Sequence, residues 1–208
     1  MKEDNYYENS RDDIVALIPL DAKRVMDVGC GFGAMGARLK RDRKVEVIGV
    51  ESEAKAIDIA RGNVDELIVG DVERLSLPFD EGYFDCIVYG DLLEHLKDPW
   101  SLLKSQSRYL KKGGHCIVSV PNISHYKILQ DLLKDKWEYK SSGIMDRSHL
   151  RFFTLKGILA TLEDCGYAVT QIQRRVRASA AKKLINSLLL GRITHLLVEQ
   201  YVIKARLD

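Results

Sequence analysis

Val25-Met26-Asp27-Val28-Gly29-Cys30-Gly31-Phe32-Gly33 reads as a short apolar strand, an acid near its C-terminal end, and a glycine-rich turn that opens a helix. Glycines at 29, 31 and 33 remove the Cβ atoms where a ligand has to approach the backbone. A helix predicted from about Ala34 to Arg41 would point its unpaired N–H groups at that ligand. Asp27 stands where its carboxylate can reach across the turn.

Outward from this stretch the chain alternates apolar runs with amphipathic ones. Val45–Glu51 is an apolar run bounded by charges and predicts a buried parallel strand. An acid at the tip of such a strand, here Glu51, can accept hydrogen bonds from both ribose hydroxyls of a nucleoside. Ser52 is the expected N-cap of a helix over Glu53–Arg61, stopped by Gly62-Asn63. Glu66–Asp71 and Phe84–Asp91 predict the third and fourth strands, with Pro78 marking the intervening loop. Asp98-Pro99 opens a helix to about Leu110, ended by Gly113-Gly114, and His115–Val120 predicts a fifth strand. Strand and helix repeated five times specify a doubly wound, mostly parallel α/β sheet.

Two segments break this rhythm. Before the first strand, Ser10–Ile18 predicts a short amphipathic helix ended by Pro19. After the fifth, residues 122–153 hold one predicted helix, Ser124–Trp137, and an irregular stretch. Long insertions of this kind in compact domains usually carry function. Thr154 then caps a helix over Leu155–Cys165, and Tyr167–Val176 and Glu199–Leu207 predict the last two strands.

Composition excludes several classes. At 208 residues with a formal net charge of +2, the chain has a soluble domain's length and no dedicated nucleic-acid binder's charge. Cys30, Cys86, Cys116 and Cys165 show no C-x-x-C spacing and predict small buried side chains in a reducing, cytoplasmic setting. The five histidines show no zinc-ligand spacing, so no metal is expected. Arg174 to Arg206 carries eight Lys/Arg against one acid, Glu199, with Lys182 and Lys183 beside several leucines. That region can meet a membrane surface or another anionic partner, or simply cover a sheet edge.

Two cofactor readings compete at the turn. Gly31-Phe32-Gly33-Ala34-Met35-Gly36 matches the dinucleotide fingerprint, with Glu51 about twenty residues on. In that fingerprint the first glycine directly follows the strand and the turn faces an anionic pyrophosphate. Here the turn starts at Gly29 and a carboxylate precedes it, which repels a pyrophosphate and attracts a cation. The pattern Asp-x-Gly-x-Gly-x-Gly resembles the first motif of the class I S-adenosylmethionine-dependent methyltransferases. With Glu51, Asp71, Asp85–His95 and Gly113–Pro121, the resemblance covers about half the chain in the right order.

The resemblance implies a seven-stranded Rossmann-like sheet with an antiparallel last strand, within one methyltransferase domain spanning residues 1–208. Residues 1–20 would fold over the cofactor, and 122–153 would form a substrate-side insertion similar to one in bacterial small-molecule methyltransferases. Asp27 and the glycines would face the methionine end, as would Tyr7 and Arg11. Glu51 and Ser52 would serve the ribose, Asp71 and Val72 the adenine, and Asp91 and Leu92 the end of the fourth strand. The implied reaction moves a methyl group to an oxygen or nitrogen of a small molecule, a saccharide or lipid-linked precursor among the options. His149, then His125, then His95 are the candidate bases. A non-catalytic cofactor-binding subunit and a nicotinamide-dependent reductase remain as alternatives. The oligomeric state is not encoded in any motif.

Overall fold

The computed structural model describes residues 11–176, 179 and 186–208. In chain order the elements are α1 (Asp12–Val15), β1 (Arg24–Val28), α2 (Ala34–Asp42), β2 (Glu46–Glu51), α3 (Ala54–Asn63), β3 (Glu66–Val69) and β4 (Phe84–Gly90). They continue with α4 (Pro99–Gln106), β5 (Leu110–Pro121), α5 (Tyr126–Leu132), α6 (Leu155–Asp164), β6 (Tyr167–Val176), α7 (Thr194–Leu197) and β7 (Val198–Leu207). One seven-stranded sheet has the order β3-β2-β1-β4-β5-β7-β6. β1 to β5 run parallel, and β7 lies antiparallel between β5 and β6. The expected fold is therefore observed.

Period-2 alternation divides the strand residues between two cores. Met26, Val28, Ile87, Tyr89 and Val118 pack with Leu102, Leu103, Ile158 and Leu162 from α4 and α6. Val25, Val47, Cys86, Val88 and Ile117 pack on the opposite face with Ile14, Leu17, Met35 and Leu39. Strand order reverses between β1 and β4, so a crevice opens beyond their C-terminal ends. The glycine turn and Asp91-Leu92 flank that crevice.

Several expected boundaries move, each for a local reason. The N-terminal helix shrinks to α1: Arg11 sits at φ 47°, which stops the helix upstream, and Pro19 disfavours helical backbone at Ile18. Ser52 does not cap α3, which starts after Glu53. The Glu51 carboxylate takes the N–H groups of Ser52 and Glu53 at 2.8 and 2.7 Å in its place. β3 ends at Val69, two residues before Asp71, and Asp71 opens a turn by accepting from Arg74 and Leu75. No helix joins β3 to β4; Leu75, Leu77 and Phe79 pack onto the core from a loop instead. Strand–helix alternation is thus interrupted once.

Asp98 caps α4 as expected, accepting from Ser101. However, α4 closes at Gln106, and Gly113-Gly114 lie inside an irregular start of β5, where pairing with β4 shifts register. The helix expected over Ser124–Trp137 is reduced to α5. Thr154 caps α6 through Gly157, and β6 and β7 match their expected spans to within one residue. Cys86 and Cys116 are buried, whereas Cys30 and Cys165 are only partly so.

Gly36, part of the formal dinucleotide fingerprint, has a packing role. A Cβ built there lies 2.9 Å from Val64 Cγ1 and 3.2 Å from the Asn63 carbonyl oxygen. Alanine favours a helix by about 1 kcal/mol over glycine, but overpacking costs roughly 1–3 kcal/mol. Gly36→Ala should therefore lower stability in urea denaturation. An increase would show that α2 can shift away from the α3–β3 connection without strain.

Candidate functional site

The glycine turn is fixed by backbone bonds before any ligand arrives. The N–H groups of Gly29 and Cys30 both reach the Val50 carbonyl, at 2.8 and 3.1 Å. Gly31 N–H donates to Glu51 Oε2 at 2.7 Å. Gly29, Gly31 and Gly33 all take positive φ, from 55° to 74°, a region glycine enters without Cβ strain. Leu92 Cδ1 stands 3.0 Å from where a Cβ on Gly29 would be, so Leu92 packs directly over the turn.

Asp27 and Glu51 are both buried at this turn. Burial pushes the Asp27 carboxyl up from its usual value to about 7, and the Glu51 charge adds to the rise. Arg11 pulls in the other direction. Two acids at a low-dielectric turn form a site for a positively charged ligand. Such a ligand would offset the repulsion between them.

Beside them lies a polar hub in which two of the expected site residues, Arg11 and Asp91, meet Ser119 and Gln200, which the sequence did not single out. Arg11 is paired with Asp91 and with Asp13, and donates to Ser119 Oγ at 2.9 Å. Ser119 donates to Asp91 at 2.8 Å, and Gln200 donates to both Ser119 and Asp91. Asp91 itself sits at φ 56°, a sparsely occupied conformation for a non-glycine residue. The hub joins the tips of β4, β5 and β7 to the segment before α1. Arg175 of β6 reaches it through Asp13 at 3.3 Å. Ser119 and Gln200 carry no spacing signal; only the register Ser119↔Val202 in the antiparallel β5–β7 pair brings them near each other.

Residues 122–153 close onto the end of β4. Asn122, fully buried, donates to the carbonyls of His195 and Val198. Ile123 bonds Phe153, closing the base of the insertion. The Glu94 carbonyl accepts from both Leu150 and Arg151, at 2.7 and 3.0 Å, and Arg151 also donates to the Lys97 carbonyl. These bonds place His149 against His95, their rings 4.8 Å apart and near edge-to-face. Glu94, His95 and His149 then each offer one ligand atom within 4.8 Å of the other two. More than fifty residues separate His149 from His95, so no local spacing could show this cluster.

His125 lies elsewhere in role. It is buried, caps α5 by accepting from the Lys127 N–H through Nδ1, and packs on Tyr126. A ring whose Nδ1 accepts must carry its neutral-form proton on Nε2, which leaves no lone pair for a substrate proton. Asp71 is exposed and bonded to Glu73 and Arg74, with Val72 buried beside it. Tyr7, Lys182 and Lys183 lie outside the described residues. Among the described residues, no helix is long and apolar enough to cross a membrane.

Comparisons with known proteins agree with this geometry. The family model of a methyltransferase domain matches residues 3–172. A ubiquinone biosynthesis O-methyltransferase from Alkalilimnicola ehrlichii is 36% identical over 109 residues, covering 50% of this chain and 43% of its own. A 27-O-demethylrifamycin SV methyltransferase from Amycolatopsis mediterranei is 28% identical over 110 residues, covering 50% and 40%. The chain thus matches less than half the length of these curated relatives. A crystal structure of an S-adenosylmethionine-dependent methyltransferase from Archaeoglobus fulgidus superposes with a TM-score of 0.72 at 19% identity, covering 97% of this chain and 96% of that one. The dinucleotide reading of Gly31–Gly36 gives way to this family match.

The raised Asp27 pKa has a measurable consequence. With a folded value of about 7 against an ordinary value near 4, the native state binds the extra proton between those limits. Its contribution to stability is therefore full below about pH 4 and falls as pH rises through 7. Asp27→Asn should raise the melting temperature of the ligand-free protein by several degrees at pH 7.5, with the gap closing near pH 4. A difference that does not change with pH would show Asp27 ionised throughout.

Proposed function

The chain belongs to the methyltransferase domain family, whose cofactor is S-adenosylmethionine, and we propose that it moves the sulfonium methyl group to an oxygen of a small-molecule acceptor. The observation that carries the reading is the buried Asp27–Glu51 pair around the glycine turn at the sheet's switch point. A pyrophosphate would meet two carboxylates there, whereas S-adenosylmethionine brings positive charge. In this reading Asp27 faces the methionine ammonium, Glu51 accepts from the ribose while holding Gly31, and Asp71 and Val72 meet the adenine. Arg11, engaged with Asp91 and Ser119, stands at the strand ends beside the crevice. Leu92, packed on Gly29, forms the floor beside the sulfonium.

The methyl donor is already activated, so the fold's main contribution is alignment. The acceptor oxygen forms a C–O bond to the methyl carbon as the C–S bond breaks. Sulfur takes the electron pair and leaves as S-adenosylhomocysteine. An acceptor hydroxyl must lose its proton as this happens. The groups placed for that are Glu94, His95 and His149, with His149 central. Its Nδ1 lies 2.9 Å from the Ile144 carbonyl, which can only accept, so Nδ1 holds a proton and, in the neutral ring, Nε2 is the basic nitrogen. Around it, Phe152, Trp137 and Tyr139 form an aromatic wall, with Phe152 6.4 Å from the His149 ring and 5.6 Å from Trp137. That wall supports an acceptor with a ring or apolar body, saccharide and lipid-linked precursors included. The oxygen acceptors named for the relatives support O- over N-transfer.

Two measurements test this. S-adenosylhomocysteine at a hundredfold excess over its dissociation constant should stabilise the protein by about 2.7 kcal/mol, and NAD should not. A thermal shift with NAD alone would sink the reading. A shift with S-adenosylhomocysteine but no radiolabelled methyl transfer to any cell-extract fraction would favour a non-catalytic subunit. Once an acceptor is known, His149→Ala should lower turnover of a hydroxyl substrate at least about a hundredfold and leave S-adenosylhomocysteine affinity nearly unchanged. Full turnover would remove His149 from the mechanism.

A further inference from the structure

We propose that Glu94, His95 and His149 bind one divalent transition-metal cation of the zinc class, with positions left open for an acceptor oxygen. The ligand types are those of three-ligand zinc sites, two imidazoles and one carboxylate. They come from two chain segments, the 3-10 turn Leu93–His95 after β4 and the insertion 122–153, which the fold brings together. Their nearest ligand atoms lie within 4.8 Å of one another. Donors on one tetrahedral zinc, at about 2.0–2.1 Å from it, stand about 3.3 Å apart. Binding therefore asks for a contraction of no more than about 1.5 Å, within the reach of side-chain rotation.

The histidines are also oriented as ligands are. His149 Nδ1 lies 2.9 Å from the Ile144 carbonyl, and His95 Nδ1 lies 3.1 Å from the Ser148 carbonyl. A carbonyl oxygen accepts only, so both rings carry a proton on Nδ1, and in the neutral rings Nε2 is the nitrogen that can ligate. A ring N–H held by a backbone carbonyl is the usual outer support of a metal-bound histidine. Glu94 is 2% exposed. A buried carboxylate between two imidazoles calls for positive charge, from a proton on a ring or from a metal ion.

The support beneath the trio is rigid. The Glu94 carbonyl holds Leu150 and Arg151, and Asp146 Oδ1 accepts the Ser148 N–H at 2.8 Å. His149 N–H reaches the Asp146 carbonyl at 3.1 Å, and His95 N–H reaches the Leu92 carbonyl at 2.9 Å. The site is thus built by backbone bonds on both sides.

Its use in transfer rests on the methyltransferase reading. A hydroxyl coordinated to the cation releases its proton to solvent near neutral pH, because the metal stabilises the oxyanion. That oxygen then attacks the methyl carbon. The histidines act as ligands in this step, and the cation replaces a free base.

Metal binding can be scored without any acceptor. The full chain, freed of its purification tag and dialysed against a chelator, is titrated with Co2+ followed by visible absorption, then with Zn2+ in competition. One ion per chain is expected, with a rise in melting temperature. His95→Gln and His149→Gln should each weaken binding at least about a hundredfold, and binding of S-adenosylhomocysteine should report that both variants are folded. No Co2+ spectrum up to about millimolar metal, or unchanged binding in the His95→Gln/His149→Gln double variant, would overturn the site and leave a proton-bridged trio. Failure of S-adenosylhomocysteine to bind the wild-type chain would instead sink the methyltransferase reading, and the metal titration would stand by itself.

Discussion

Much of this molecule depends on one hydrogen bond, from the Gly31 N–H to the Glu51 carboxylate. A glycine-rich turn has many accessible shapes and loses them all on folding. Glu51 selects one, because its other oxygen already holds the first N–H groups of the segment leading into α3. One side chain therefore sets both the turn after β1 and the exit from β2. A carboxylate so used stays beside Asp27, and the two acids give the crevice its charge. Local order and ligand preference have the same source.

The polar hub at the far side of the crevice works differently. Arg11, Asp91, Ser119 and Gln200 come from four distant parts of the chain, and every one is bonded to at least two of the others or to Asp13. A network of this kind is costly when half satisfied and stiff when complete. The uncommon backbone at Asp91 is held by these bonds. They aim the end of β4 toward the glycine turn and carry Leu92 over Gly29. Downstream, the same backbone course delivers Glu94 and His95 to the insertion.

What could be read from the sequence was local in origin. The buried apolar runs of β1 and β4, the Asp98 and Thr154 caps and the glycine turn all follow from short patterns, and all were found where expected. Ser52 was misread because a competing acceptor one residue earlier had already claimed the N–H groups a cap would serve. The loop from β3 to β4 broke the expected alternation because its apolar residues, Leu75, Leu77 and Phe79, pack without helical spacing. Gln200, Ser119 and the Glu94–His95–His149 trio were invisible for a simpler reason. Their meaning depends on pairings between segments about 80 and more than 50 residues apart, and no window of sequence contains both partners.

The place of β7 has a bearing on how the chain can be made. β7 follows β6 in the chain yet lies inside it in the sheet, between β6 and β5. Until residues 198–207 have left the ribosome, β5 ends in an open edge and β6 has no neighbour to pair with. The five parallel strands can assemble first, but their exposed margin is the apolar run Cys116-Ile117-Val118, a surface that invites wrong partners. β6 is guarded during that wait by its own composition, with Arg174 and Arg175 both exposed, one on each face. Insertion of β7 then completes two ladders at once and delivers Gln200 to the hub. Synthesis from N- to C-terminus thus leaves completion of the hub beside the crevice to a late step.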